Sequence, residues 1–159
     1  MKEISINSRS KKSIVVMVDD LDYESLSKFR WTICNRYPVR IEYYNGKRVR
    51  SIYMHREILN CPIGLEVDHI NGDPLDNQRN NLRTCTHLEN SRNRKISKNN
   101  KLGVKGVYFD KKLKRYLAEI KVNNKTIKLG RFRDLLSAAK TYNKAASHYF
   151  GEFAHLNVI

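Results

Sequence analysis

The sequence predicts an α+β chain assembled from small units. Three observations lead there: alternating or β-branched stretches punctuated by Asn-Gly and Asn-Asn pairs, one long helical repeat near the C-terminal end, and a steep division of charge along the chain. The 159 residues have room for one ordinary domain or a few small modules. Hydrophobic residues make up 40%, enough for small cores rather than one large one.

Taken in order, residues 14–18 (IVVMV) form a β-branched run, residues 20–29 a helical stretch, and the chain around Trp31 reads as extended. Residues 39–44 and 47–53 alternate on either side of Asn45-Gly46, the pair best suited to a type I′ hairpin turn. Alternation puts Val39, Ile41 and Tyr43 on one face. Residues 56–59 read as a short helix preceded by His55. Residues 65–73 form a short strand running into a turn at Asn71-Gly72, and residues 81–84 can pair back on it. Thr86-His87-Leu88-Glu89 is a capping box that opens a helix carrying Asn90 in its first turn. Residues 91–105 hold six basic and no acidic residues with little apolar periodicity, the composition of a linker.

In residues 115–121, Tyr116, Ala118 and Ile120 face inward and Arg115, Leu117, Glu119 and Lys121 outward. Asn123-Asn124 turns the chain into residues 125–129, with Ile127 and Leu129 inward. After Gly130, Asp134 caps a helix along which Leu135, Ala138, Ala139, Tyr142, Ala145, Ala146 and Tyr149 recur, and Gly151 ends it. The chain thus divides into a β-rich segment 1–60, a hairpin-plus-helix core 61–94, a basic linker 95–104 and a sheet-plus-helix module 105–159.

Lys and Arg number 31 against 16 Asp and Glu, a net charge of +15 with a pI near 9.9, and such a field seeks polyanions. Residues 1–90 carry 14 basic and 12 acidic side chains; residues 91–159 carry 17 and 4. Within the first part, residues 61–76 reverse the sign, with Glu66, Asp68, Asp73 and Asp76 and no Lys or Arg. Oxygen ligands for a divalent cation would give this island a purpose in a protein that meets phosphate. Mean hydropathy is −0.64 and the longest apolar run is residues 14–18, far short of a membrane span or a secretory core. The expectation is a cytoplasmic protein with no membrane partner. Cys34, Cys61 and Cys85 are too widely spaced for a zinc site and read as reduced, buried thiols.

Basic residues Arg36, Arg40, Lys47, Arg48 and Arg50 cluster around the 39–53 hairpin, and a two-stranded ribbon fits a DNA groove, making Arg40, Arg48 and Arg50 candidate contacts. An edge hairpin guarded by charge explains the same cluster. Arg92 and Arg94, in the basic stretch, are candidates for the phosphate backbone.

The spacing of Asp68-His69, Asn81 twelve residues after His69 and Asn90 twenty-one after it resembles the HNH endonuclease motif of phage and mobile-intron homing enzymes. The surrounding words match too: Tyr53-Met54-His55-Arg56, Val67-Asp68-His69-Ile70-Asn71-Gly72, Leu75-Asp76-Asn77, Asn80-Asn81-Leu82-Arg83, Thr86-His87 and Glu89-Asn90. The resemblance implies a ββα-metal hairpin and helix in which His69 is the general base, Asn81 orients it, and Asp68 and Asn90 supply oxygen ligands to one Mg²⁺ or Mn²⁺. It implies a metal-dependent, site-specific cleavage of double-stranded DNA with no small-molecule organic cofactor. A single site of this kind nicks as a monomer and can break both strands as a homodimer.

Residues 103–157 resemble the AP2 DNA-binding domain through Lys105-Gly106-Val107, Ala118-Glu119-Ile120-Lys121, Leu129-Gly130-Arg131-Phe132, Ala138-Ala139 with Tyr142, Ala145-Ala146 and Leu156-Asn157. The resemblance implies a three-stranded sheet laid in the major groove, with Lys105, Tyr108, Glu119, Lys121, Thr126 and Lys128 meeting DNA. Strand alternation adds Lys114 and Arg115. A DNA-binding regulator that keeps the nuclease shape without cutting, and an RNA-binding protein, are the alternatives from other classes.

Overall fold

The computed structural model describes residues 1–7, 13–97 and 99–159, so Lys98 of the expected linker lies outside the described residues. The chain forms two compact units, Met1–Asn90 and Ser91–Ile159, and its mixed helix and sheet content is that of an α+β protein.

In the first unit β1 (Lys2–Asn7) pairs antiparallel with β2 (Ser13–Val18), and α1 (Asp20–Leu26) follows. Helix α1 is shorter than the expected 20–29. Trp31 Nε1 donates to the Leu26 carbonyl at 2.8 Å, taking the acceptor that another turn of helix would need. Strands β3 (Thr32–Cys34), β4 (Tyr37–Tyr44) and β5 (Lys47–Tyr53) form an antiparallel sheet in that order. Asn45 and Gly46 both have positive φ, 49° and 73°, as a type I′ turn requires. Of the expected inward face only Val39 is buried; Tyr43 is exposed, lying toward the open tip of the hairpin. Helix α2 (Met54–Ile58) begins two residues earlier than expected, so that His55 lies within it. Then β6 (Glu66–His69) pairs with β7 (Leu82–Cys85), and α3 (His87–Arg92) follows.

One core serves the whole first unit. Ile4, Ile6, Val16, Val18, Leu26, Trp31, Met54 and Ile58 cluster with Val67 and Leu82, so residues on both sides of position 60 bury one another. The loop between β6 and β7 is stitched to β2: Met17 N donates to Leu75 O at 2.9 Å and Asn77 N to Met17 O at 2.8 Å. Arg79 adds a two-bond ion pair to buried Asp22, 2.8 Å on each arm, while its backbone N–H meets the Asp19 carboxylate. Of the three cysteines only Cys85 is buried. Cys34 is exposed on the short strand β3 and Cys61 is half-covered, which corrects the expectation of three buried thiols.

The second unit holds β8 (Val107–Asp110), β9 (Arg115–Val122), β10 (Lys125–Phe132) and α4 (Leu135–Phe150), the sheet order being β10-β9-β8. Strand β10 runs past the expected end because Leu129 forms a bulge and Gly130, at φ 147°, carries the chain on in a conformation that L residues avoid. Asp134 caps α4 by accepting from Ser137 N at 2.8 Å, and Ala138, Ala139, Tyr142 and Ala146 lie buried against Ala118, Ile120 and Val107. Tyr149, expected on the inner face, is exposed, and Phe150 packs there instead. Val104, inside the stretch read as a linker, belongs to this core. No helix among the described residues is long and apolar enough to cross a membrane.

Candidate active site

The segment between residues 65 and 92 folds as a hairpin closed by a helix, and β-strand geometry sorts its polar side chains on to two faces. His69 and Val67 leave one face of β6; Asp68 and Glu66 leave the other.

On the His69 face the imidazole is buried, 6% exposed, within an aromatic nest. The His55 ring lies 5.2 Å away at 78°, Tyr37 lies 5.9 Å away, and Tyr37 and Tyr53 also pack on His55. His69 Nε2 is 3.5 Å from Asn77 Oδ1, at the outer limit of a hydrogen bond. Burial pulls the His69 pKa below the usual imidazole value, opposed by the Asn77 contact and by the charges of Asp68, Asp76 and Asp73. The ring is therefore neutral at pH 7 and able to accept a proton.

Asn81, at the end of a 3₁₀ turn spanning Arg79–Asn81, acts on the backbone that follows His69. Its Oδ1 accepts from Asn71 N at 3.0 Å, its Nδ2 donates to Asn71 Oδ1 and Asp76 O at 3.1 and 2.8 Å, and its carbonyl accepts from Ile70 N. The loop acids have internal duties. Asp73 Oδ1 accepts from Leu75 N, and Asp76 takes Asn71 Nδ2 at 2.8 Å.

On the opposite face Asp68, 4% exposed, receives two bonds from Arg83, its cross-strand partner: Nε at 2.9 Å and Nη2 at 2.6 Å, both on Oδ2. Asn90 Nδ2 donates to Glu66 Oε2 at 2.6 Å, and His87 Nδ1 meets Glu66 Oε1 at 2.7 Å. The capping box forms as expected: Glu89 Oε2 accepts from Thr86 N and Oγ1, both at 2.8 Å, which fixes the first turn of α3 and hence Asn90. Asp68 and Asn90 thus share one face, each engaged by a different neighbour. Among the described residues no three His, Cys, Asp or Glu side chains cluster to hold a metal ion by themselves. The donors on this face are carboxylate and carboxamide oxygens, the chemistry of a hard cation that completes its shell with water and phosphate. The residues present fit such an ion. Cys85 beside them is held protonated, its pKa pushed up to about 11 by burial and the neighbouring carboxylates.

A family model described as HNH endonuclease matches residues 60–92, the same hairpin and helix. A protein of Acanthamoeba polyphaga mimivirus described as uncharacterized HNH endonuclease L560 is 33% identical over 135 residues, covering 84% of this chain and 70% of that protein. The chain belongs to the HNH endonuclease family. Protein 3.8 of Escherichia phage T7 is 34% identical over 100 residues, 62% of this chain and 82% of its own. No solved structure matches. Family membership suggests nuclease activity and a DNA substrate.

Four residues that reading the sequence did not assign to this HNH site sit in it: His55, Glu66, Asn77 and Arg83. Glu66 and Arg83 had a signal, since Glu66 is two positions from Asp68 on one strand face and the hairpin register sets Arg83 opposite Asp68. His55 stands in the matching word Tyr53-Met54-His55-Arg56, but nothing there placed it against His69, because that approach depends on tertiary packing.

The candidate DNA contacts fall into two groups. Arg48, Lys114, Lys121, Thr126, Lys128 and Tyr108 are exposed. Others are already engaged. Arg40 forms a two-bond pair with Glu57 at 2.9 and 3.0 Å and stacks on Phe29; Arg50 pairs with Glu42. Lys105 Nζ donates to the carbonyls of Arg92 and Arg94 at 2.7 and 2.8 Å, with its pKa lowered to about 8 by burial, and the Arg92 guanidinium lies over the Phe150 ring. Arg115 and Glu119 are half-buried.

Proposed function

We propose that this HNH protein is a metal-dependent, site-specific DNA endonuclease of the homing type. The observation that carries the reading is the hairpin and capped helix that set Asp68 and His69 on adjacent positions of β6 and Asn90 in the first turn of α3. His69, neutral at pH 7, takes the proton from the attacking water. Asn81 braces the turn after it, and Asn77 meets its ring. Asp68 and Asn90 hold Mg²⁺ or Mn²⁺, which when bound relieves charge on the phosphate and on the departing 3′ oxygen.

The AP2-like module, residues 105–159, supplies site selection. Its outer sheet face offers Tyr108, Lys114, Arg115, Glu119, Lys121, Thr126 and Lys128 to the major groove, where lysines favour phosphate over two-bond base reading. Lys105, Arg92 and Arg94 shape the approach to that sheet, and the hairpin residues Arg40, Arg48 and Arg50 flank the nuclease. Incubation with supercoiled plasmid tests the reading: nicked or linear product forms with Mg²⁺ and not with chelator, and His69→Ala abolishes it while duplex binding persists. Wild-type nicking by His69→Ala would overturn the assignment.

A catalytically silent DNA-binding regulator is the second reading. The ion pair that occupies Asp68 and the burial of His69 favour it, and binding without any metal-dependent product would establish it.

A further inference from the structure

The open end of the β4–β5 hairpin carries side chains that neither the core nor the catalytic chemistry uses. Tyr43 is 61% exposed, Tyr44 72% and Val49 58%, so large apolar surfaces stand in water at a tip that polar residues would serve as well. Register sets each ring opposite a cation: Tyr43 faces Arg48 and Tyr44 faces Lys47. Successive strand residues leave opposite faces, so one tyrosine–cation pair stands on each side of the ribbon. The shift in register between Glu42 and Tyr43 gives Val49 no opposite residue and brings Arg50 against Glu42, with which it forms an ion pair. Glu42 is the only acid in residues 39–53, and among the described residues neither Lys47 nor Arg48 pairs with a carboxylate; Arg48 Nη2 donates to Ser51 Oγ at 2.6 Å. A sheet edge guarded against other strands needs charge but not tyrosines. A tip dressed alike on both sides fits a cleft with two like walls, and the walls that complement this charge are phosphate backbones. The major groove of duplex DNA, about 12 Å wide, admits a two-stranded ribbon.

We propose that the β4–β5 tip enters the major groove end-on, with Arg48 and Lys47 on phosphates of opposite strands and Tyr43 and Tyr44 packed on the sugars and thymine methyl groups between them. Arg40 and Arg50, held by Glu57 and Glu42, brace the ribbon behind the tip rather than touch DNA. The inference deepens the nuclease reading, on whose duplex substrate it rests.

Fluorescence anisotropy of the full chain with a mixed-sequence duplex, in chelator and over a range of salt, tests it. The pair Lys47→Gln and Arg48→Gln is expected to lower the slope of log K against log salt by about 2, one for each phosphate. The pair Tyr43→Ser and Tyr44→Ser is expected to weaken binding about tenfold and leave the slope unchanged, because the rings displace no counterions. Both losses are expected to persist when netropsin fills the minor groove. A urea midpoint equal to that of the native chain shows that the hairpin is kept; where the serine pair lowers it, the Lys47 and Arg48 pair decides. Affinity and slope unchanged in both pairs overturn the insertion and leave the nuclease reading standing. So does a difference that netropsin erases, or an equal loss on a structured RNA, whose major groove is too narrow for a ribbon. Tip-dependent duplex binding by a chain that never nicks plasmid with Mg²⁺ overturns the nuclease reading and leaves the insertion standing.

Discussion

His55 carries an unmet requirement at the centre of the first unit. Its Nδ1 is buried without a hydrogen-bond partner among the described residues, and its ring is wedged among Tyr37, Tyr53 and His69. Burial lowers its pKa from 6.5 to about 3, with the nearby His69 and Arg56 charges acting in the same direction. The unfolded chain therefore binds a proton near pH 6.5 that the folded chain refuses until about pH 3, and stability falls as pH falls through that window. The expected slope is up to about 1.4 kcal/mol per pH unit from this residue. Urea unfolding at pH 7 and pH 5 should show the loss, and a His55→Phe variant should show a shallower one. His69 was legible from its neighbours Asp68, Asn71 and Gly72 as a word in the sequence. The placement of His55 beside it was not, because thirteen intervening residues and a separate helix bring it to the same nest.

The elements whose signals are local are the ones the sequence reveals. Asn45-Gly46 supplies the two positive φ values of its turn, Asp134 caps α4, and Thr86 with Glu89 closes the capping box. Thr86→Ala should cost about 1 kcal/mol of stability and loosen the turn that holds Asn90, measured by chemical denaturation beside the nicking rate. Elements that end or bend through long-range contacts are hidden. Helix α1 stops because Trp31 caps its last carbonyl, and β10 continues because a bulge at Leu129 restores its register. Gly106 is a further case: at φ 72° a Cβ would lie 2.0 Å from the Tyr142 ring and 2.8 Å from the Glu119 carbonyl. Gly106→Ala should unfold or severely destabilise the second unit, visible as the loss of its share of a thermal transition, because sheet and helix can no longer meet at that spacing.

Charge is unevenly held by the whole molecule, with 17 basic against 4 acidic residues in 91–159. Binding should therefore be steeply salt-dependent, and exposed Lys121 and Lys128 should each contribute to the slope. The pair Lys121→Gln and Lys128→Gln should weaken duplex affinity across sequences and reduce the slope of log K against log salt by about 2, read by fluorescence anisotropy. The sequence reading divides the chain into segments 1–60, 61–94, 95–104 and 105–159, with the charge step near residue 90. It did not foretell that residues before and after position 60 share a single interior, because Val67 and Leu82 read as ordinary strand residues until Val16 and Val18 are seen against them.

The stitching of Met17 to Leu75 and Asn77, with Asp19 and Asp22 gripping Arg79, sets an order on synthesis. A ribosome releases the first two strands long before the stretch that completes their interior exists, so this half of the protein waits, incomplete, for most of its own translation. For the same reason, moving the loop between β6 and β7 to another scaffold means moving the opening strands with it.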